Sequence, residues 1–416
     1  MDWDLVVVGA GAAGLLAAAR AAERGVRTLL VEKNRRPGIK ILMSGGTRCN
    51  LTQATDRRGI IREFGKQGNF LHSALAALAP QDLIDWFESE GVATKVEATG
   101  KVFPVSDKAA DVLAALVRRL TRSGCALALD EPLLDAEPVA QDGFRLTTSK
   151  RSLSTAKLLV TTGGQSYPGC GTTGDGYRLA AKLGHTIVPL RPALTPVTTD
   201  SSWVRELQGV TISDVALAVV ESAAAPRPPR NSRLAERRGS FLFTHFGLSG
   251  PAVLDVSRVV SGHADPRKLF LECDFLPTLT EPALDEWLRL EAAAAGGKQL
   301  AGLMVNQLPR RLSDALLVEA GLSPEQRAAE LSRAQRARWV TAIKRANIPV
   351  SGTRGFKKAE VTAGGVSLDE IDSSTMQSRL VPKLYLAGEV LDLDGPIGGY
   401  NFQAAFSCGW LAAESV

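Results

Sequence analysis

Asp4-Leu5-Val6-Val7-Val8-Gly9-Ala10-Gly11-Ala12-Ala13-Gly14, continuing through Leu15 to Gly25, is the stretch that decides the fold. Its opening apolar run is what a strand buried on both faces requires. The run enters a Gly-x-Gly-x-x-Gly turn. An Ala- and Leu-rich segment of high helix propensity follows and is closed by Gly25. A second β-branched run, Val26 to Val31, then ends in Glu32. Strand, glycine turn, helix, strand and acid all fall within about 30 residues, the span of one βαβ unit.

Each part has a physical task. Gly9 permits the tight turn, Gly11 lets backbone approach a pyrophosphate, and Gly14 lets the helix lie close to the sheet. Ala12 and Ala13 stand in the turn beside them, ahead of a helix N-terminus whose free N–H groups and partial positive charge suit phosphates. Glu32 is placed to accept hydrogen bonds from adenosine ribose hydroxyls, with Lys33 beside it. A carboxylate there disfavours a 2′-phosphate, so the site is expected to hold FAD or NAD. Gly169-Cys170-Gly171-Thr172-Thr173-Gly174 repeats the spelling. Pro168 precedes it directly and no strand leads into it, so it reads as a loop, with Asp175 capping the helix that follows.

The rest of the composition is ordinary. The chain has 416 residues, 45% apolar and 22% charged, with a net charge of +5. That excludes a disordered or fibrous chain and falls short of the block-basic pattern of a dedicated nucleic-acid binder. The acidic start and a 15-residue apolar run argue against a signal peptide or a membrane span. Five scattered cysteines, never paired as Cys-x-x-Cys, argue against a disulfide framework or a metal site. A cytoplasmic protein with reduced thiols is expected.

Two further segments bear on the cofactor. Gly38 to Asn50 combines small residues with Lys40, Ser44, Gly45, Arg48, Cys49 and Asn50, suiting a backbone that wraps phosphates. Arg48 has an alternative reading as the partner of an internal carboxylate, and Cys49 as a small buried residue rather than a redox thiol. Near the C-terminus, Leu384 to Asp392 reads as a strand leading to Gly388 and Glu389. A glycine turn, Gly395 to Gly399, then precedes a last helix starting near Asn401.

With these segments in view, the chain resembles the BaiN/YhiN-type flavoproteins of the glutathione-reductase-type FAD superfamily. The resemblance also rests on Ser44–Asn50 (SGGTRCN), Gly163–Pro168 (GGQSYP), Thr244–Pro251 (THFGLSGP) and Val361–Val366 (VTAGGV). It implies FAD as cofactor, with Gly163 and Gly164 near it and Glu389 on the ribityl chain or a phosphate. It also implies that Gly399, Tyr400, Asn401 and Phe402 lie at the flavin pyrimidine edge. Residue 47 departs from the pattern: Thr stands where such proteins more often have Gly.

Between residues 191 and 350 the pattern changes. Leu194–Thr199, Val210–Val220, Arg238–Thr244 and Lys268–Phe275 read as short strands of a small antiparallel barrel. Asp285–Ala295, Gln299–Leu308, Leu312–Ala320, Pro324–Ser332 and Ala334–Arg345 read as helices. The expected class is therefore α/β: a discontinuous three-layer Rossmann-like FAD-binding domain (1–190 and 351–416). Into it are inserted a β-barrel cap (191–280 and 346–350) and a helical lobe (281–345). An arginine-rich link, Ala223 to Arg238, reads as a solvated hairpin tip rather than a phosphate contact. His245 and Tyr400 are the candidate catalytic acids.

The expected activity is hydride transfer between flavin N5 and a small organic substrate. Either NAD(P)H-linked reduction of an enone-type double bond or oxidation of an amine would fit, with NAD(P)H docking transiently as reductant. The rival readings are an NAD-dependent dehydrogenase and a flavin-bearing protein that binds or modifies RNA. No membrane partner is expected.

Overall fold

The computed structural model describes residues 1–139, 143–221 and 233–416. The chain divides into two compact units, residues 1–192 with 359–416, and residues 193–358.

In the first unit the motif folds as its chemistry requires. Strand β1 (Trp3–Val8) feeds helix α1 (Ala12–Glu23), which returns to strand β2 (Thr28–Val31). β1 and β2 pair in parallel, Val6 opposite Leu29 and Val8 opposite Val31. Leu5 to Val8 and Thr28 to Val31 are all buried, as a strand covered on both faces must be.

On its other edge β1 pairs in parallel with Ser152–Val160. That long strand is shared along its far edge. Its first half pairs antiparallel with Gly143–Thr148, and its end pairs in parallel with Leu384–Leu386. The C-terminal strand therefore enters the sheet beside residues contributed by the N-terminal half. Strand Leu133–Val139 extends the antiparallel edge, and Ala126–Ala128 flanks β2. A separate three-stranded sheet, Thr52–Gln53, Lys101–Pro104 and Thr94–Val96, carries the segment after Asn50.

The second unit is built on one antiparallel sheet of seven strands. In sheet order they are 346–349, 270–274, 211–220, 233–244, 247–249, 197–198 and 352–353. The two edge strands are consecutive in the chain, joined by Val350-Ser351, so the sheet curls until its edges meet. Helices Glu281–Ala294, Arg310–Glu319 and Arg333–Lys344 bury Leu284, Leu316 and Trp339 in the same core as Phe241 and Leu271 from the strands. The helices therefore share the sheet's core instead of forming one of their own.

Two expected helices are not helices. Gln299–Leu308 folds as turns around a short 3-10 segment at Leu300–Gly302, and Pro324–Ser332 does the same around Ala328–Glu330. The two loops bind each other: Leu300 N–H donates to Gln326 O and Ala328 N–H to Lys298 O, so tertiary pairing replaces the helical ladder. Of the arginine-rich link, residues 222–232 lie outside the described residues. Arg233 pairs with Glu236 and Glu272, Arg237 with Asp255, and Arg238 with Asp214.

Gly14 is the tightest point of the first unit. A Cβ there would lie 1.9 Å from Gly9 O and 2.5 Å from Thr161 Oγ1. Gly14→Ala must push α1 off β1. A destabilisation of about 1–3 kcal/mol is expected in denaturant unfolding, the usual cost of overpacking a core.

Candidate FAD site

The first end of the site is the start of α1. Gly9 takes φ +104°, and a Cβ on it would meet Thr161 O at 2.6 Å. Gly11, by contrast, has no atom of the described residues, its chain neighbours aside, within 4 Å of where its Cβ would stand. Two glycines are needed for contact inside the protein, and the third faces open space. Gly11 is also the cap residue of α1. No side chain caps that helix and no acid lies in its first turn, so its leading N–H groups remain for an outside anion.

Glu32 is buried and accepts Ala10 N–H at 2.7 Å on one oxygen and Asn34 N–H at 2.8 Å on the other. Each oxygen keeps a lone pair for a ribose hydroxyl. Lys33 points elsewhere, to Asp175 and to Thr173 Oγ1 at 2.7 Å. Asp175 is not the expected cap. Gly174 caps Asp175–Lys182 without a side-chain bond. Burial works against the Asp175 charge, but Lys33, Thr173 and Arg178 outweigh it and hold its carboxyl below the usual range.

The second end is the start of the C-terminal helix, Tyr400–Ser415. Gly399 precedes it with φ +90°, and a Cβ there would lie 2.5 Å from the Thr52 carbonyl group. This helix too has no side-chain cap and no acid in its first turn. Asn50, with its amide oriented to satisfy both ends, donates to Thr52 O (3.0 Å) and Val102 O (3.2 Å) and accepts from Gly399 N–H (3.0 Å). Thr52 Oγ1 donates to Gln403 Oε1 at 2.6 Å, and Gln403 Nε2 donates to Leu78 O and Ser407 Oγ. Asn401 clasps the turn before the helix through Gly395 N–H and O. Asn50 and Asn401, expected as cofactor contacts, thus spend their amides on backbone. Phe402 stacks on Phe406.

The two helices run side by side in the same direction. A Cβ on Gly409 would touch Ala13 O at 2.6 Å, Arg20 Nε pairs with Glu414 at 2.6 Å, and Arg24 donates to Ala413 O. With residues 13 and 409 level, the two starts are offset by roughly 12 Å at 1.5 Å per residue. Gly388 takes φ +81°, and a Cβ on it would lie 3.2 Å from the Ala13 methyl group, so the turn after Leu384–Leu386 packs close to α1.

Glu389, next to it, is the hub of a polar cluster that the sequence did not disclose. Its Oε2 meets Lys40 Nζ at 2.5 Å, while Oε1 accepts Ser166 Oγ at 2.8 Å and Thr362 N–H at 2.9 Å. Lys40 also donates to Ser166 Oγ at 2.7 Å. A Cβ on Gly164 would strike Glu389 Oε1 at 2.7 Å and Thr362 Oγ1 at 2.5 Å. Gly163 takes φ +71°. Tyr177 donates its hydroxyl to Glu389 O, and burial pushes that phenol well up.

The Ser44–Asn50 segment is mostly left-handed: Gly45, Gly46, Thr47 and Cys49 take φ between +54° and +70°. Glycines do this freely; Thr47, β-branched at φ +70°, carries strain. Ser44 Oγ donates to Ile41 O at 2.7 Å. Arg48 has the internal carboxylate partners of the alternative reading. It reaches Glu97 at 2.6 Å and Asp107 at 3.5 Å, with its guanidinium 3.9 Å above the Phe103 ring. Burial pushes the Cys49 thiol up to about 12. Tyr400 is half-buried at the first helical position. His245 lies in the other unit, exposed at the tip of the hairpin joining 233–244 to 247–249. Among the described residues no group of three His, Cys, Asp or Glu could hold a metal ion. No described helix is long and apolar enough to cross a membrane.

A parallel sheet, two uncapped helix starts and an acid closing β2 suit an extended dinucleotide whose far end gains negative charge, the requirement of a flavin oxidoreductase. The chain belongs to the family described as HI0933-like protein Rossmann domain, whose model matches residues 3–415. It is an FAD-dependent oxidoreductase. A ribosomal RNA dihydrouridine synthase of Escherichia coli (strain K12) is 33% identical over 100% of this chain and 98% of that protein. A 3-dehydro-bile acid delta(4,6)-reductase of Clostridium scindens is 28% identical, covering 98% of each. Among solved structures, the 3-ketosteroid delta1-dehydrogenase of Sterolibacterium denitrificans shares the fold. Its TM-score is 0.51 at 14% identity, over 99% of this chain and 98% of that one.

Gly11→Ala tests the open approach. The variant should unfold at the parent's midpoint yet lose most of its bound FAD, read as flavin absorbance per chain. Cys49 tests the buried thiol. In the native enzyme at pH 8 it should resist alkylation, shown by peptide mass mapping, and Cys49→Ala should retain flavin and turnover.

Proposed function

We propose that this enzyme uses its flavin to reduce a carbon–carbon double bond conjugated to a carbonyl. FAD held here, once reduced by NAD(P)H, would supply the hydride from N5. On this reading the first-turn N–H groups of α1, with Gly9, Gly11, Ala12, Ala13 and Gly14, hold the pyrophosphate, and Glu32 holds the adenosine ribose. Glu389, fixed by Lys40 and Ser166, takes the ribityl chain through the free capacity of Oε2. Backbone N–H groups at Tyr400, Asn401 and Phe402 favour negative charge at the pyrimidine edge. The proton that completes the reduction comes from the His245 imidazole or the Tyr400 hydroxyl, delivered to the carbon next to the carbonyl.

The whole-length relatives carry this reading. Dihydrouridine is uridine with its C5=C6 bond saturated, and a 3-oxo steroid with Δ4,6 unsaturation is a dienone. In both, the reduced bond is conjugated to a carbonyl. Oxidation of an amine has no such support. For the substrate, uracil within RNA is favoured by the 33% and 31% identical relatives named for ribosomal RNA. Charge points the same way: residues 193–358 hold 22 Lys and Arg against 17 Asp and Glu, while the remainder holds 27 of each. The entire excess of +5 thus lies in the inserted unit. A small dienone is the second reading, favoured by the 28% identical reductase.

The test supplies the FAD-loaded enzyme with NADH or NADPH under anaerobic conditions. One arm contains unmodified ribosomal RNA, the other a 3-oxo-4,6-diene steroid. Gain of two hydrogens on uridine, seen by nucleoside mass spectrometry, supports the first reading. Loss of dienone absorbance with unchanged RNA supports the second. A flavin that NAD(P)H reduces while neither substrate changes overturns both.

A further inference from the structure

The second unit carries an exposed cluster in which, His245 apart, no residue has a part in the proposed reaction. At the hairpin tip, His245-Phe246 makes the two-residue turn, closed by Thr244 Oγ1 donating to Gly247 O at 2.9 Å. Phe246 O accepts Thr199 N–H, and Gly247, at φ +141°, lies so close to Val197 O that a Cβ would stand 2.4 Å away. The tip is therefore fixed on the neighbouring strand, not loose.

Two arginines frame it. Arg205 Nε donates to His245 O at 3.0 Å, and the Arg354 guanidinium lies 4.4 Å above the Phe246 ring. Arg354 is anchored by its own N–H to Pro196 O. The His245 ring meets Phe246 edge-on at 4.9 Å. Arg205, His245, Arg354, Lys357 and Lys358 are exposed and Phe246 is half-buried.

The charges here differ from the other arginines of this sheet. Arg233, Arg237 and Arg238 are each matched to acids. No carboxylate among the described residues pairs with Arg205, Arg354, Lys357 or Lys358. A planar guanidinium stacked on an aromatic ring, beside a second exposed ring and unmatched cations, has the parts that bind an unpaired nucleotide. Rings and guanidinium planes stack on a base, and cations take the phosphates on either side.

We propose that the His245–Phe246 turn, with Arg205, Arg354, Lys357 and Lys358, is a binding site for a single-stranded RNA segment. The inference rests on the RNA reading of the substrate and assigns residues to it. Arg354 and Phe246 offer the stacking face, and Lys357 and Lys358 contact the backbone. The remaining cationic excess of the unit needs no part in it.

The experiment measures binding of the FAD-loaded enzyme to a fluorescent uridine-rich single-stranded RNA oligonucleotide across a salt series. The variants are Arg354→Ala, Lys357→Ala with Lys358→Ala, and Arg289→Ala as a control. Arg289 is exposed on a helix and paired with Glu286. Arg354→Ala should weaken binding about tenfold, the scale of one lost stacking contact. The double lysine variant should flatten the slope of log affinity against log salt by about 0.7 per lost phosphate contact. Arg289→Ala should match the parent, and flavin absorbance per chain should be unchanged in all. If the parent binds RNA and these variants bind as it does, the site assignment is overturned while the RNA reading stands. If the parent does not bind RNA at low salt, the RNA reading fails and the site falls with it.

Discussion

Everything in the cofactor half depends on the contact between Gly14 and the Gly9 carbonyl. The first turn of α1 packs so closely on the end of β1 that neither position tolerates a side chain. Close packing fixes the direction of the helix, and with it the direction of N–H groups that no side chain among the described residues caps. A helix start left open in this way is a ready site for an anion. The same demand recurs at Gly399, where the backbone of Thr52 leaves no room for a side chain and the next helix also starts uncapped. The structure thus presents two anion-seeking ends held in fixed relation by helices that pack directly on each other.

Between those ends the polar side chains mostly hold one another. Asn50 ties the Gly399 N–H to the strand after it, Gln403 ties the last helix to Thr52 and Leu78, and Lys40 with Ser166 and Thr362 fixes Glu389. Such networks cost little while every member is satisfied and a good deal when one is removed. A flavin site needs this rigidity, because dipoles that are already oriented stabilise charge without reorganising.

The dinucleotide unit was legible in the sequence because its constraints are local: a strand, three glycines at fixed spacing, a helix and an acid lie within one short segment. In the inserted unit strands 197–198, 211–220 and 270–274 and the second half of 233–244 were legible for the same reason, while 247–249, 346–349 and 352–353, set by their pairing, were not. What could not be read depends on distant partners. Arg48 looked like a phosphate ligand, but Glu97 and Asp107, some fifty residues on, face it. Ser166 and Thr362 lie in strings that carry the family resemblance, yet nothing local assigns their side chains or that of Gln403, and each meets its partner far along the chain. Gln299–Leu308 and Pro324–Ser332 had helical periodicity but bond to each other instead. Asn50 was read in the phosphate-wrapping segment and Asn401 at the start of the last helix, yet both spend their amides on the backbone of that helix start and its neighbours.

The central claim is that two separated helix starts and Glu32 together recognise a whole dinucleotide, not an isolated flavin ring. Calorimetric titration of the flavin-free protein with FAD and, separately, with FMN tests it most directly. The account predicts one FAD per chain, bound at least a hundredfold more tightly than FMN, which lacks the second phosphate and the adenosine that α1 and Glu32 would hold. Equal affinity for FAD and FMN would contradict it.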